Sequence, residues 1–371
     1  MKIASKSRRW PAAHALGLAA LVLVSALAVS ACGSSSPSST TKTSASTSSG
    51  AKKVHIGFIY ATTASNFAQE MALGAQAAAS HTPGVEFNES APSTAEESQE
   101  VTLFLSALHT DTNGLAMETL EPNLFVRPVK EAEEDNIPQV AVDTPPPTGT
   151  KVSFFVGNSN TELGEMLAKA LLAKIPQGTK GQILVGTDSP GLIVLQLRNK
   201  GFEAVLKKER PGITFLNFDS QQGPTENYDT WSGEVKAHPN AIAYIGPGSQ
   251  DAVSMAEIER QTGKHYLVGA DDLDPVALKG VKEGYVYTLI SPEHWLKGYI
   301  AVHFLAEHAL HGTALPVGWW NPGAIVVNSA NVAKIIARQA SPESRYRYFA
   351  PIVAAQLADP GKYLKPLKDA N

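Results

Sequence analysis

Cysteine is almost missing from this 371-residue chain, with Cys32 the only one. A single thiol excludes an internal disulfide and a zinc site built from several cysteines. Charge is modest, at 18% of residues, and the formal net charge of −4 argues against a partner held through nucleic-acid phosphates. The apolar run at residues 16–29 falls short of the roughly 20 residues that a membrane span needs. Several signatures are missing too. The first apolar strand is not followed by G-x-G-x-x-G, which removes the dinucleotide fingerprint. The loop Gly186-Thr187-Asp188-Ser189-Pro190-Gly191 lacks the Gly-Lys-Ser/Thr ending of a phosphate loop, and Pro190 removes an amide donor. The nucleophile elbow G-x-S-x-G is absent. His303, Glu307, His308 and His311 share one helical stretch without the H-E-x-x-H spacing of a zinc helix, so no metal site is expected there.

What is present begins at the N-terminus. Lys2, Lys6, Arg8 and Arg9 precede the apolar run, and small residues follow it, the arrangement of an export signal. Val29-Ser30-Ala31-Cys32 resembles the lipobox of bacterial lipoproteins. That resemblance implies a signal peptide over residues 1–31, with Cys32 taking a diacylglyceryl group and becoming the first mature residue. Residues 32–53 then form a lipidated cysteine and a Ser/Thr-rich linker, with no apolar side chain larger than alanine after Cys32. Such a segment buries too little surface to order itself and would hold the body about 25 Å from a membrane. The expected location is extracytoplasmic, lipid-anchored to the bacterial cell membrane.

From Val54 onward, short apolar runs alternate with stretches of helical spacing. Residues 54–60, 85–88, 114–117, 139–142 and 154–156 read as strands, with helices between them. A second series follows, with strands at 182–185, 213–216, 241–245, 266–268, 285–290 and 324–327. Alternation of this kind predicts an α/β fold of parallel sheets covered by helices on both faces. The units are too many for one ordinary sheet, so two are expected, with ligands bound outside the C-terminal strand ends.

Five segments carry a resemblance. They are Ile56-Gly57-Phe58-Ile59-Tyr60 with Ser65-Asn66-Phe67 and Gly74-Ala75; the run from Asn136-Ile137-Pro138 to Asp143; Arg198-Asn199-Lys200-Gly201-Phe202; Ala237-His238-Pro239-Asn240-Ala241; and Val268-Gly269-Ala270-Asp271. In this order they resemble the type I periplasmic sugar-binding proteins, the family of the ribose-binding protein, over about residues 54–310. The resemblance implies two Rossmann-like lobes joined by a three-strand hinge. Crossings would fall near residues 158–161, 291–292 and 328. The N-terminal lobe would be 54–158 plus 292–328, the C-terminal lobe 159–291, and 329–371 an extension that packs on a lobe.

The same resemblance supplies ligand-binding candidates. Ser65 would bond a hydroxyl and Phe67 would form an aromatic plate. Glu118, Asp143 and Asp271 end strands and would accept hydroxyls. Arg198 offers a guanidinium fork to a ring oxygen or a carboxylate. Gln222 stands where the family often has an aromatic residue, Ser249 (or Asp251) lies in the glycine-rich 246–251 loop, and Ser291 sits at the hinge. Asp272 and Asp274 read as solvated. Carboxylates, a guanidinium, hydroxyls and an aromatic face suit a sugar or polyol.

The implied function is that of a monomeric solute-binding lipoprotein of an ABC importer. It would capture a small polar ligand between the lobes and deliver it to permease and ATPase subunits, without cofactor or catalysis. A ligand-sensing receptor coupled to a sensor kinase would share the same body. An extracytoplasmic enzyme on an α/β scaffold is the third reading.

Overall fold

The computed structural model describes residues 53–370. The expected signal peptide, Cys32 and nearly all of the expected linker lie outside the described residues.

The first lobe is built from β1 (Val54–Ile59), α1 (Asn66–Ser80), β2 (Val85–Ser90), α2 (Glu97–Ala107), β3 (Gly114–Glu118), α3 (Val126–Glu134), β4 (Gln139–Val142) and β5 (Phe154–Val156). The chain then enters the second lobe with α4 (Asn160–Leu172), β6 (Gly181–Thr187), α5 (Ile193–Glu209), β7 (Ile213–Asp219), α6 (Pro224–Ala237), β8 (Ala243–Gly246), α7 (Ser249–Thr262), β9 (Val268–Asp271), α8 (Pro275–Glu283) and β10 (Thr288–Ser291). It returns with α9 (His294–His311) and β11 (Gly318–Trp320), and ends with β12 (Ile325–Val327), α10 (Val332–Arg338), α11 (Pro342–Ala358) and β13 (Leu364–Lys365).

Each lobe holds one sheet. The first has seven strands in the order β13-β11-β5-β4-β3-β1-β2, and the second has six, β12-β10-β9-β8-β6-β7. Within each, the second strand of the series flanks the first, and the third lies on the first strand's other side. This is the doubly wound pattern, whose ligand crevice opens where the strand order reverses, between β1 and β3 and between β6 and β8. The alternating strand residues explain the layers. Ala116 faces the side covered by α1 and α9, while Leu115 and Met117 face the side covered by α2 and α3.

Each lobe also has one unusually close helix crossing. A Cβ on Gly298 of α9 would lie 1.9 Å from the Met71 carbonyl oxygen of α1, and one on Gly201 of α5 would lie 2.1 Å from the Thr161 carbonyl oxygen of α4. Glycine is required there because backbone meets backbone. The approach of α5 to α4 fixes the helix that carries Arg198.

Three features depart from the sequence expectation. Gly318–Trp320, where no strand was expected, forms β11, which pairs with β5 in parallel and with β13 in antiparallel fashion. The 324–327 segment belongs to the second sheet, where β12 runs antiparallel to β10. The first lobe's returning share therefore ends before β12 and does not reach 328. Finally, the extension is divided between the lobes. Val332 and Ile335 of α10 join the second lobe's core, and Phe349 and Val353 of α11 pack with Trp295 of α9. The chain thus crosses four times, at residues 157–159, 292–293, 321–324 and 339–341. The short Trp-Trp strand has no alternation to reveal it, and α10 and α11 resemble an ordinary helical tail until their partners are seen.

Gly201→Ala should destabilise the second lobe by about 1–3 kcal/mol, because the added methyl group has only backbone to displace. Urea unfolding of the variant checks this.

Candidate functional site

A cavity of about 340 Å³ opens between the strand ends of the two lobes. Its walls come from the loops after β1 and β3 in the first lobe and after β6 and β8 in the second, together with residues after β4 and β9 and the start of α9. These include both chain reversals, where a doubly wound sheet leaves a crevice.

Six of the nine candidates line it: Ser65, Phe67, Asp143, Arg198, Gln222 and Ser249. Glu118, Asp271 and Ser291 do not. Each of those three is the last residue of its strand, an interior strand of its sheet, and is buried. Glu118 Oε2 accepts a hydrogen bond from the Ala61 amide at 2.9 Å, tying β3 to the end of β1. Ser291 Oγ accepts from the Glu293 amide at 3.3 Å. Neither oxygen of Asp271 has a hydrogen-bond partner among the described residues.

In place of Asp271 the cavity is lined by Asp272, which is 4% exposed and not solvated as the sequence suggested. Asp143 and Asp272 occupy matching places. Each stands one residue past its strand in the left-handed region, at φ 65° and 69°. Each amide donates to the neighbouring strand, Asp143 to the Val156 carbonyl at 2.9 Å and Asp272 to the Ile290 carbonyl at 2.8 Å. Aspartate tolerates this backbone better than most residues. The turn lifts the carboxylate out of the sheet's pleat toward the cleft. The signal was in the sequence: Val140-Ala141-Val142-Asp143 aligns with Gly269-Ala270-Asp271-Asp272, making the second aspartate the counterpart.

Arg198 is 3% exposed. Its Nε donates to Asn160 Oδ1 at 3.2 Å, and its Nη1 donates to the Pro247 carbonyl at 2.8 Å and lies 3.5 Å from Asp272 Oδ2. Burial opposes the guanidinium charge, but Asp272, Asp271 and Asp143 outweigh it and hold the proton more firmly than usual. Asp272 Oδ1 accepts from His294 Nε2 at 2.8 Å. His294 Nδ1 lies 3.1 Å from Lys297 Nζ, and Lys297 also donates to Asp143 Oδ1. His294 and Lys297 escaped the sequence reading because one opens a helix and the other is fully buried within it.

Burial alone would raise the Asp143 carboxyl, yet its cationic surroundings, Lys297 foremost and Arg198 beyond it, hold it at about 2. Asp272 is likewise held below its ordinary value, because Arg198 and His294 overcome burial. Lys297 is pushed below the usual lysine range by burial, despite Asp143. Other acids near the site lack such compensation. Burial and Asp143 push Glu118 up to about 8, burial and Glu118 push Glu100 to about 9, and burial and Asp251 push Asp188 to about 8. Asp271 is raised to about 8, chiefly by burial. The pocket wall thus combines two carboxylates held toward the charged form, one guanidinium engaged with Asp272, an Asp188 carboxyl pushed toward its neutral form, and the Phe67 ring. Phe67 sits 5.8 Å from the His294 ring, centroid to centroid, tilted by 53°. Among the described residues no group of His, Cys, Asp and Glu is arranged to hold a metal.

Two doubly wound lobes around a polar pocket define a two-lobed α/β binding-protein architecture. A family model described as a periplasmic binding protein domain matches residues 56–313, and the chain belongs to that family. GanP, a glucose-galactose binding protein from Geobacillus stearothermophilus, has the same fold: TM-score 0.67 at 24% identity, over 76% of this chain and 99% of that one. An ABC transporter solute-binding protein from Burkholderia graminis, solved with D-arabinose, gives 0.68 at 24% identity, over 76% and 97%. The xylose/arabinose-binding protein XylF of Sulfolobus acidocaldarius is 21% identical over 214 residues, 53% of this chain and 51% of that protein. The chain thus spans about half the length of this curated relative.

The raised carboxyls set a pH dependence. A carboxyl that holds its proton more tightly when folded gives stability that is full below the unfolded value of about 4 and lost as pH rises through the folded value. Glu100, Glu118 and Asp271 therefore make the protein less stable at pH 9 than at pH 5, and the melting temperature should fall by about several degrees across that window. Glu118→Gln keeps an acceptor for the Ala61 amide and should flatten the fall. Calorimetry at a series of pH values checks both.

Proposed function

We propose that this protein is the solute-binding lipoprotein of an ABC importer, that it takes a small neutral sugar or polyol into the interlobe cavity, and that it presents the closed form to permease and ATPase subunits. The observation that carries the reading is the pair Asp143 and Asp272, one from each lobe, turned into a single cavity beside Arg198 and Phe67. Carboxylates facing each other across a cleft accept hydroxyl donors from two sides of one ligand, so both lobes gain by closing on it. An aromatic ring supplies the apolar face that the C–H side of a sugar needs. The related proteins named for glucose and galactose, arabinose and xylose support the same ligand class.

Charge narrows the class further. Asp143 and Asp272 hold carboxylate charge at the cavity, and Glu96 and Asp274 also line it, against the guanidinium of Arg198. Arg198 already spends its charge on Asp272. Sugar phosphates and sugar acids meet net repulsion, and neutral pentoses, hexoses and polyols do not.

Thermal-shift screening against these groups identifies the ligand, since binding to the folded state raises the melting point by mass action. Neutral sugars should shift it and sugar phosphates should not. Asp143→Ala or Arg198→Ala should abolish most of the binding while the protein remains folded by circular dichroism. Undiminished binding by both variants would place the ligand elsewhere.

Anchoring belongs to the same proposal. A binding protein that serves one transporter benefits from staying beside it, and a lipid on Cys32 followed by a Ser/Thr-rich tether does that. Fatty-acid labelling should mark the wild type and miss Cys32→Ala.

A further inference from the structure

Five side chains form an unbroken line through the middle of the molecule. It runs from Arg198 on α5 to Asp272 after β9, then to His294 and Lys297 on α9, and ends at Asp143 after β4. Arg198 and Asp272 belong to the second lobe; His294, Lys297 and Asp143 belong to the first. The line passes between lobes at one place, the 2.8 Å hydrogen bond from His294 Nε2 to Asp272 Oδ1. All five side chains are buried, with Lys297 at 0% and His294 at 6% exposure.

We propose that His294 and Lys297 are positioning residues, which couple the closing of the lobes to the arrangement of the ligand-binding carboxylates Asp143 and Asp272. The proposal rests on reading the cavity as the ligand site. Its chemistry follows from donors and acceptors. An ammonium group has only donors, so Lys297 Nζ donates to His294 Nδ1, which must present its lone pair. The ring proton then sits on Nε2, where it donates to Asp272. Lys297 thereby fixes the tautomer that makes the interlobe bond, and the second nitrogen's role follows from the first. The same ammonium neutralises Asp143 and takes its Oδ1, which leaves Oδ2 to a ligand. With both nitrogens engaged, His294 offers the ligand only its ring, beside Phe67.

The consequence is directional. Opening the lobes breaks the His294–Asp272 bond and strands a buried carboxylate beside Arg198 alone. Closing restores it whether or not ligand is present. The closed form is therefore populated before ligand arrives, and the affinity that a ligand shows scales with that population.

Small-angle scattering of the full chain without ligand tests this directly. His294→Phe keeps a ring beside Phe67 and deletes both hydrogen bonds, and it should give a larger radius of gyration than the wild type. His294→Gln keeps one donor and one acceptor at similar reach and should retain the wild-type value. Lys297→Met removes the group that fixes the tautomer and should open the lobes like His294→Phe. A cooperative melting curve for each variant separates opening from misfolding. With D-arabinose as probe, His294→Phe should bind about tenfold more weakly than His294→Gln. Equal radii for the wild type and His294→Phe, or equal opening by the Phe and Gln variants, overturns the proposal. If no sugar binds the wild type, the sugar-binding reading fails, and the scattering comparison still decides the interlobe coupling.

Discussion

Lys297 carries an ammonium group into a place that water does not reach, and the arrangement of the cleft follows from how that charge is met. A buried ion left without its partner costs about 3–5 kcal/mol. Asp143 meets it, and to do so it leaves its strand with a left-handed backbone. That turn puts the carboxylate at the cavity wall. Burial pushes Glu118 and Asp271 toward their neutral forms, and the charges of Asp143 and Asp272 add to that push. The cavity is polar without a surplus of fixed cations, and the proposed preference for a neutral polyhydroxylated ligand rests on that balance.

The two lobes reach this result by the same local rules. Both wind their strands in one order, both send out an aspartate one residue past the fourth strand of the series, and both press two helices together through glycine. They differ in what the close-packed helix brings. In the second lobe α5 brings Arg198 from its own interior. In the first, α9 brings His294 and Lys297 from the residues that follow a crossing. A crossing helix reports on the relation between lobes, because its first turn is set by both. This makes its polar residues suited to linking the two walls.

The sequence made the alternation of strands and helices legible, since 3.6-residue and continuous apolar patterns separate cleanly from β1 to α9. The cavity was legible in part. Asp143 and Arg198 line it where strand-end and helix reasoning put them, whereas Asp271 stops one position short of Asp272, and Glu118 and Ser291 stop two and three positions short of Leu120 and His294. A strand's last residue is still in the ladder and its side chain is still committed to a sheet face; the next residue is free to turn. Apolar periodicity carries no mark of which comes first when two acids stand together, as in Asp271-Asp272. Lys297 was hidden for a different reason. A lysine in an amphipathic helix ordinarily reads as solvent-facing, and only the tertiary position of Asp143 shows why this one is buried.

The extension past β12 was the least legible part, and its physical role lies in the hinge. Arg338 ends α10 at the fourth crossing and reaches the second, where its Nη1 donates to both carboxylate oxygens of Glu293 at 3.0 and 3.1 Å. Glu293 itself stands at φ 53°, one residue before α9 begins. The guanidinium lies over the rings of Tyr348 and Phe349 of α11, at 5.0 and 4.8 Å, and Phe349 stacks on Trp295 at 4.7 Å. One cation therefore joins the end of a second-lobe helix, the crossing residue and the aromatic face of a first-lobe helix. A strained residue persists where its surroundings over-determine it, and Glu293 is held by a buried ion pair in which one guanidinium nitrogen meets both carboxylate oxygens. His294 follows Glu293 directly, so whatever fixes the backbone of Glu293 also aims the imidazole at Asp272. The extension thereby bears on the cavity without lining it, by setting the angle at which α9 enters the cleft.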